Sequence, residues 1–429
     1  MKGLLTLFVS VLAITVLGPA AAAAQAAGAG AAGGSDSSAS GRSLDLNIWM
    51  GAGHHDRIIR GGQDVRGLDP SVDADNSHGQ LGLSATFSRR RHRLAIVGEG
   101  ETALRAESAG LRPWAADHRG GVRLVFSLTN RTLVEVSQAA RYTAINPLVG
   151  TSLTPGTTDA DSAAPLGFGH SFPVAQALTS STSTVVTHAL SRRSALVFVQ
   201  GFTYADGDDG GALRAHSGGA RFERGLNRHQ TLRLGYRLTA AIYDPENRRY
   251  LQSHDIDAGV EYKRGLPFSR GTTFRATTGT ALVSDRDRRT FRLLADASLE
   301  HTLSRAWQAR LDFSRPVQVV EGLTAPVVSS SVTLRVTGSL SRRHGVLATA
   351  SYSDGSVSLD YSRLASVMSY SSAFRWQSTL TRSLSFNAEA FHGRSRFGPE
   401  VATMPGVPRD SEQLGVRVYV SLWRPILRD

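Results

Sequence analysis

The segment from Ser331 to Tyr352 has the pattern that most constrains the fold of this chain. Apolar residues alternate with polar ones in two arms, which Ser341-Arg342-Arg343-His344-Gly345 separates. Successive side chains of a strand point to opposite faces, so this segment predicts a β-hairpin with one apolar and one polar face. Each arm has about ten residues, which is the length a tilted strand needs to cross a bilayer, whereas strands of soluble proteins are nearer five or six.

The same alternation recurs along the chain and predicts an all-β protein. We interpret it as a single antiparallel transmembrane β-barrel of about eighteen strands, with sixteen as the alternative. The strand candidates are 44–53, 79–88, 93–105, 120–129, 132–143, 180–190, 195–205, 213–224, 230–243, 252–263, 271–283, 290–302, 306–315, 329–341, 345–353, 369–380, 384–393 and 411–423.

The connections between these strands alternate in length. Most links after even-numbered strands are short, such as Asn130-Arg131 and Ser191-Arg192-Arg193, whereas most links after odd-numbered strands are long, such as His54 to His78. Short turns at one rim and long loops at the other are typical of transmembrane barrels, where the turns are periplasmic and the loops are outside. The even strand count places the first and the last strand end at the turn rim.

The two ends of the chain differ from its middle. Residues 1–24 predict a secretory signal peptide, with a charged start, an apolar stretch and an Ala22-Ala23-Ala24 cleavage site. Residues 25–43 are rich in Ala, Gly and Ser and predict a disordered periplasmic tail. The barrel is expected over 44–423, and residues 424–429 are expected to form a short C-terminal tail.

Composition excludes several classes of protein. The 429 residues contain no cysteine, which excludes a disulfide framework, a thiolate metal site and a cysteine nucleophile. The formal net charge is +12, but the arginines recur at turns instead of forming one block or one helix face, so nucleic-acid binding is not predicted. We find no complete metal or cofactor motif, and we predict neither a cofactor nor an enzyme.

The repeated turns give a resemblance to a known group. The Leu-Ser-Arg-Arg type of turn occurs at Leu190 to Arg193, Leu303 to Arg305 and Leu340 to Arg343. With the strand pattern, it resembles Gram-negative outer-membrane β-barrels of the porin-like kind, some of them associated with exopolysaccharide export. The resemblance implies an outer-membrane location and contact with lipid and the barrel-assembly machinery. Such barrels usually end on an aromatic residue, whereas here Arg424 to Asp429 follow Trp423.

The two faces of the proposed strands differ in charge. Apolar rows such as Val416, Val418 and Val420 are expected to face acyl chains, because a charge on the lipid side at mid-depth costs about 2–4 kcal/mol. The opposite face carries nineteen charged residues that we predict to line the lumen. They are Glu99, Glu101, Arg123, Glu135, Arg141, Arg233, Arg237, Asp257, Glu261, Arg275, Arg292, Asp296, Glu300, Arg310, Asp312, Arg335, Arg375, Glu389 and Arg417.

The near balance of signs among these residues predicts that most of them pair across strands, and any anion preference would come from the small arginine excess. The functional expectation is an outer-membrane channel for small hydrophilic solutes or oligosaccharides. An exopolysaccharide secretion conduit with a dedicated export partner is one alternative. A barrel enzyme is another, although His188, His216, His301 and His392 are not assembled into a triad by the sequence. The loop from Ala144 to Thr179 is expected to narrow the lumen. The sequence does not decide between a monomer and a homo-oligomer.

Overall fold

The computed structural model describes the chain in segments. These are residues 41–60, 73–91, 93–107, 114–143, 177–207, 212–227, 229–243, 249–262, 271–285, 288–315, 317–318, 327–360, 363–398 and 410–428. The predicted signal peptide, most of the predicted N-terminal tail and residues 144–176 of the predicted constriction loop lie outside them.

Eighteen antiparallel strands form one closed sheet, which confirms the predicted barrel and makes the sixteen-strand alternative wrong. They are β1 (Gly41–Arg60), β2 (Asp73–Arg91), β3 (Leu94–Glu107), β4 (Trp114–Thr129), β5 (Thr132–Thr143), β6 (Ala177–Ala189), β7 (Ser194–Gly207), β8 (Ala212–Gly225), β9 (Gln230–Tyr243), β10 (Arg249–Tyr262), β11 (Thr272–Asp285), β12 (Arg288–Ser304), β13 (Trp307–Arg315), β14 (Val327–Ser339), β15 (His344–Asp360), β16 (Arg363–Thr379), β17 (Leu384–Phe397) and β18 (Asp410–Arg428). The pair Val317–Gln318 extends β13 along β14 beyond Pro316.

The first and last strands close the sheet. β1 pairs with β18 from Ser43↔Arg428 to Arg60↔Asp410, so both strands run the full height of the wall. Each remaining strand pairs with its sequence neighbours. Closure removes the open edge that a sheet of this size would otherwise expose.

The short turns share one hydrogen-bonding pattern, which explains their sequences. Leu190 N–H donates to the Ser194 carbonyl at 2.9 Å, and Leu340 N–H donates to His344 at the same distance. Inside each turn the serine hydroxyl accepts from the N–H two residues on, at 3.1 Å for both Ser191 and Ser341. A Ser, Thr or Asn side chain thus replaces a backbone partner at the tightest point of the turn.

The strands rise higher at the loop rim than the sequence pattern predicts. His54 to Asp56, expected in a loop, continue β1, and the expected loop from Asp354 to Met368 shrinks to the two residues between β15 and β16. The reason is that the outward face becomes polar above the apolar band, so the alternation disappears although the ladder continues.

The C-terminal end also differs from expectation. Residues 424–428, predicted as a tail, continue β18 against β1. The register shifts between Leu44 and Asp45, opposite Pro425. Such an irregularity accommodates a proline, which cannot donate to the ladder.

Burial on β18 is the reverse of that in a soluble sheet. Gln413, Arg417, Tyr419 and Ser421 are buried, whereas Leu414, Val416, Val418, Val420 and Leu422 are exposed, Val416 at 55%. Polar groups therefore face the inside of the barrel and a continuous apolar face points outward. No helix in the described segments is long and apolar enough to cross a membrane.

Glycine makes room for a buried aromatic ring at the closure. Trp49 on β1 lies directly opposite Gly82 on β2, and it is only 2% exposed. A Cβ built on Gly82 would come within 2.1 Å of the indole ring. Packing of an aromatic ring over a cross-strand glycine fixes the register of the two strands.

We expect Gly82→Ala to destabilise the barrel by about 1–3 kcal/mol, because the buried indole has no room to move away. The measurement is the urea midpoint of unfolding in lipid vesicles. Gly79→Ala on the same strand is the matched control, since nothing lies within 4 Å of its added methyl group. Equal midpoints for the two variants would contradict the packing account.

Candidate functional site

The register places all nineteen predicted residues on one face of the closed sheet. Opposite partners in the ladder share a face, and the pairings Glu101↔Arg119, Arg310↔Arg335 and Glu389↔Arg417 link this face from strand to strand. It is opposite the face of the exposed Leu and Val residues, and so it is the inner face. The side chain of Glu261 lies outside the described residues.

Ion pairs connect neighbouring strands on the first part of this wall. Glu101 on β3 accepts hydrogen bonds from Arg119 on β4, at 2.8 Å from Nε. Arg123 Nη2 donates to Glu135 Oε2 at 2.8 Å, which joins β4 to β5. These are the cross-strand pairs of opposite charge that stabilise a sheet.

The wall formed by β8, β9 and β10 repeats this arrangement. Arg237 on β9 donates to Asp255 Oδ2 on β10 at 3.0 and 3.1 Å. Glu223 on β8 lies 2.8 Å from Arg221 of its own strand and 3.5 Å from Arg233 on β9. Each carboxylate therefore has a guanidinium partner in place of bulk water.

The most buried charges join β16, β17 and β18. Glu389 Oε2 accepts from Arg375 Nε at 2.9 Å, and Glu389 Oε1 accepts from Arg417 Nη2 at 2.5 Å. The Glu389 side chain is 1% exposed and the Arg417 side chain 3%. The Arg417 guanidinium also lies 5.1 Å from the centre of the Phe391 ring, a cation–π distance. One carboxylate thus holds two arginines, with a net charge of +1.

Neutral polar side chains surround this network, and some of their buried atoms have no hydrogen-bond partner among the described residues. Trp49 Nε1, Asn387 Nδ2 and the Tyr419 hydroxyl are shielded from solvent, and no partner for them occurs among the described residues. Asn387 lies directly opposite Tyr419 in the ladder. Buried polar atoms of this kind are normally satisfied by ordered water.

The charges of the inner face nearly cancel. The predicted set contains ten arginines and nine carboxylates. The structure adds Asp45, Arg119, Arg221, Glu223 and Asp255 to the same face, two arginines and three carboxylates, so the counted positive and negative charges balance. The sequence pattern missed Arg119 because the predicted strand began one residue later, and it missed Asp255 although two-residue spacing from Asp257 gives its face.

The four histidines that a barrel enzyme would have to bring together are far apart in the sheet. His188, His216, His301 and His392 are on β6, β8, β12 and β17, and the register places each on the outward face. The Thr132 hydroxyl is hydrogen-bonded to His188 Nδ1 at 2.9 Å, and the Thr272 hydroxyl is hydrogen-bonded to His301 Nδ1 at 2.6 Å. No cluster of three His, Asp or Glu side chains suited to a metal ion occurs in the described segments.

Comparison with solved structures gives loose likenesses to bacterial outer-membrane proteins. OccAB4 of Acinetobacter baumannii is 9% identical, with a TM-score of 0.44 over 90% of this chain and 98% of its own. OccK7 (OpdD) of Pseudomonas aeruginosa is 13% identical, with a TM-score of 0.46 over 90% and 99%. The siderophore receptor PirA of the same species is 9% identical, with a TM-score of 0.41 over 88% and 80%.

No protein-family model and no curated protein sequence matches the chain. The barrel assignment rests on the strand pairing of the chain itself.

We expect Glu389→Gln to destabilise the folded barrel by about 3–5 kcal/mol, because it leaves two arginines buried without their carboxylate. Glu300→Gln is the matched control, since Glu300 is bonded at 2.6 Å by the neutral Gln308 in an exposed contact. Urea unfolding in vesicles measures both variants. An effect at Glu389 no larger than that at Glu300 would contradict the assigned network.

Proposed function

We propose that the protein is an outer-membrane channel that passes small hydrophilic solutes through the inside of the barrel. One observation carries the proposal, namely that a closed eighteen-strand sheet holds its most buried charged residues inside and presents a band of exposed apolar residues outside. This is the arrangement that lipid on the outside and water on the inside require.

The strand number supports an aqueous interior. Small barrels of about eight strands fill their interior with side chains, whereas barrels of sixteen to eighteen strands leave a channel. The strand number therefore favours a hydrated lumen over a packed one.

The charges counted on this wall predict only weak ion selectivity. Arg310 donates to Asp312 at 2.9 Å, so this carboxylate offsets local positive charge. Passage of an oligosaccharide belongs to the same proposal, because polar side chains on a hydrated wall exchange hydrogen bonds with sugar hydroxyl groups.

The first test is conductance of the folded protein in a planar lipid bilayer. We expect stable steps of conductance and, in a salt gradient, a reversal potential close to zero. Absence of conductance from a protein that is demonstrably folded would overturn the channel proposal. It would favour a closed export conduit, which opens only with a partner.

The second test changes the inner charge. We expect the double variant Arg310→Gln plus Arg335→Gln to shift the reversal potential towards cation preference, because it removes two positive charges and leaves Asp312 without its arginine partner. Arg342→Gln plus Arg343→Gln, in the turn after β14, removes the same charge outside the lumen. An equal shift in both variants would show that the lumen wall does not select ions.

A further inference from the structure

The short-turn rim of the barrel is basic. The turn residues that the structure describes there include eight arginines and no Asp or Glu; the arginines are Arg93, Arg131, Arg192, Arg193, Arg305, Arg342, Arg343 and Arg382. In the sequence, the eight connections on this side of the strands contain twelve Arg or Lys residues and no Asp or Glu.

The described turns present these arginines to solvent. Arg192 and Arg193 follow β6 and Arg342 and Arg343 follow β14, and all four side chains are exposed. In the part of the chain that the structure describes, no carboxylate is within ion-pair distance of any of them. Other short turns each have one exposed arginine, namely Arg131, Arg305 and Arg382. Together, the exposed turn arginines form a belt around this rim.

One cleft concentrates the charge between neighbouring turns. Arg192, Arg193 and Arg224 line it together with Ser191 and Ser194. The Gly225 N–H donates to the Arg193 carbonyl at 2.7 Å, which fixes one turn against the next. Three guanidinium groups and two hydroxyls form a set of donors that suits a phosphate group.

The belt of turn arginines lies directly beside the apolar outer face. On β16 and β15, the Trp376 and His344 rings stack at 5.6 Å on the outward side next to the Arg343 turn, and Phe386 packs edge-on against Trp376. Aromatic rings of this kind mark the boundary between acyl chains and headgroups. The turn arginines therefore sit at the depth of the headgroups.

We propose that the short-turn rim is a binding surface for anionic, phosphate-bearing lipid headgroups of the leaflet that it meets. The inference rests on the proposed function only in that the barrel must span a bilayer. Arginine supplies nearly all of the charge, since Lys2 and Lys263 are the only lysines among 48 basic residues. Its planar fork bonds phosphate with two parallel hydrogen bonds.

The distribution of the charge favours a membrane over a macromolecule. A protein or nucleic-acid partner would need one concentrated patch, whereas every short turn around the circumference carries at least one arginine. A planar layer of headgroups meets the whole belt at once.

The test uses the full chain folded in phosphatidylcholine vesicles with either no phosphatidylglycerol or about one third phosphatidylglycerol. Each basic residue near an anionic surface contributes on the order of 1 kcal/mol, and 1.4 kcal/mol is tenfold in an equilibrium constant. We therefore expect phosphatidylglycerol to raise the folding equilibrium constant at least about tenfold at low salt. High salt should remove the gain, because it screens surface charge.

Two variants of the same four turn residues separate charge from fold. Changing Arg192, Arg193, Arg342 and Arg343 to Gln should abolish most of the rise in the folding equilibrium constant that phosphatidylglycerol causes. Changing the same four residues to Lys should keep most of that rise. An unchanged gain in the Gln variant would overturn the proposal. So would tight binding of soluble polyglutamate to the wild type in pure phosphatidylcholine with no gain from phosphatidylglycerol, since the partner would then be an acidic polymer.

Failure of this proposal is distinct from failure of the channel. Conductance in phosphatidylcholine alone tests the lumen and does not depend on anionic lipid. A conducting protein with no response to phosphatidylglycerol would refute the headgroup surface and leave the channel intact.

Discussion

The backbone hydrogen bonds between β1 and β18 close the sheet, and the rest of the structure depends on that closure. In hydrocarbon an open strand edge would leave a row of N–H and C=O groups without partners, at a cost of several kcal/mol for each group. The pairing extends from Ser43↔Arg428 to Arg60↔Asp410, and it continues past Pro425 through a local shift in register. Trp49 over Gly82 fixes the neighbouring pair of strands at the same place. The most buried ion network is centred on Glu389 of β17, the strand next to β18.

Closure forces the two faces to take opposite roles. Every second side chain within the apolar band points to lipid, so at that height each strand has room for charge only on the inner face. The chain uses that face for cross-strand pairs such as Arg123–Glu135 and Arg237–Asp255, which support the wall and keep it hydrated. In the proposed channel, support of the wall and passage of solutes would depend on the same residues, whereas the exposed arginines of the short turns lie outside the lumen.

Most of the fold could be predicted from the sequence, because two-residue alternation sets the face of every side chain. The turns were also predictable, since a Ser, Thr or Asn side chain after Leu replaces a backbone partner there. The upper parts of the strands were not, because residues such as His54 lie above the apolar band where the alternation ends. The pairing of charges was only partly predictable. Which arginine meets Glu389 depends on the registers of β16, β17 and β18, and no local pattern contains that information.

An arginine scan along β18 asks whether the apolar face meets lipid. Arginine replaces each outward residue at 414, 416, 418, 420 and 422, alanine at the same positions is the control for lost packing, and the free energy of folding into vesicles is measured for each variant. We expect arginine to cost about 2–4 kcal/mol more than alanine near Val418, and this excess to fall towards both ends of the outward row. An excess that does not change along the outward row would contradict the assignment of this face to lipid.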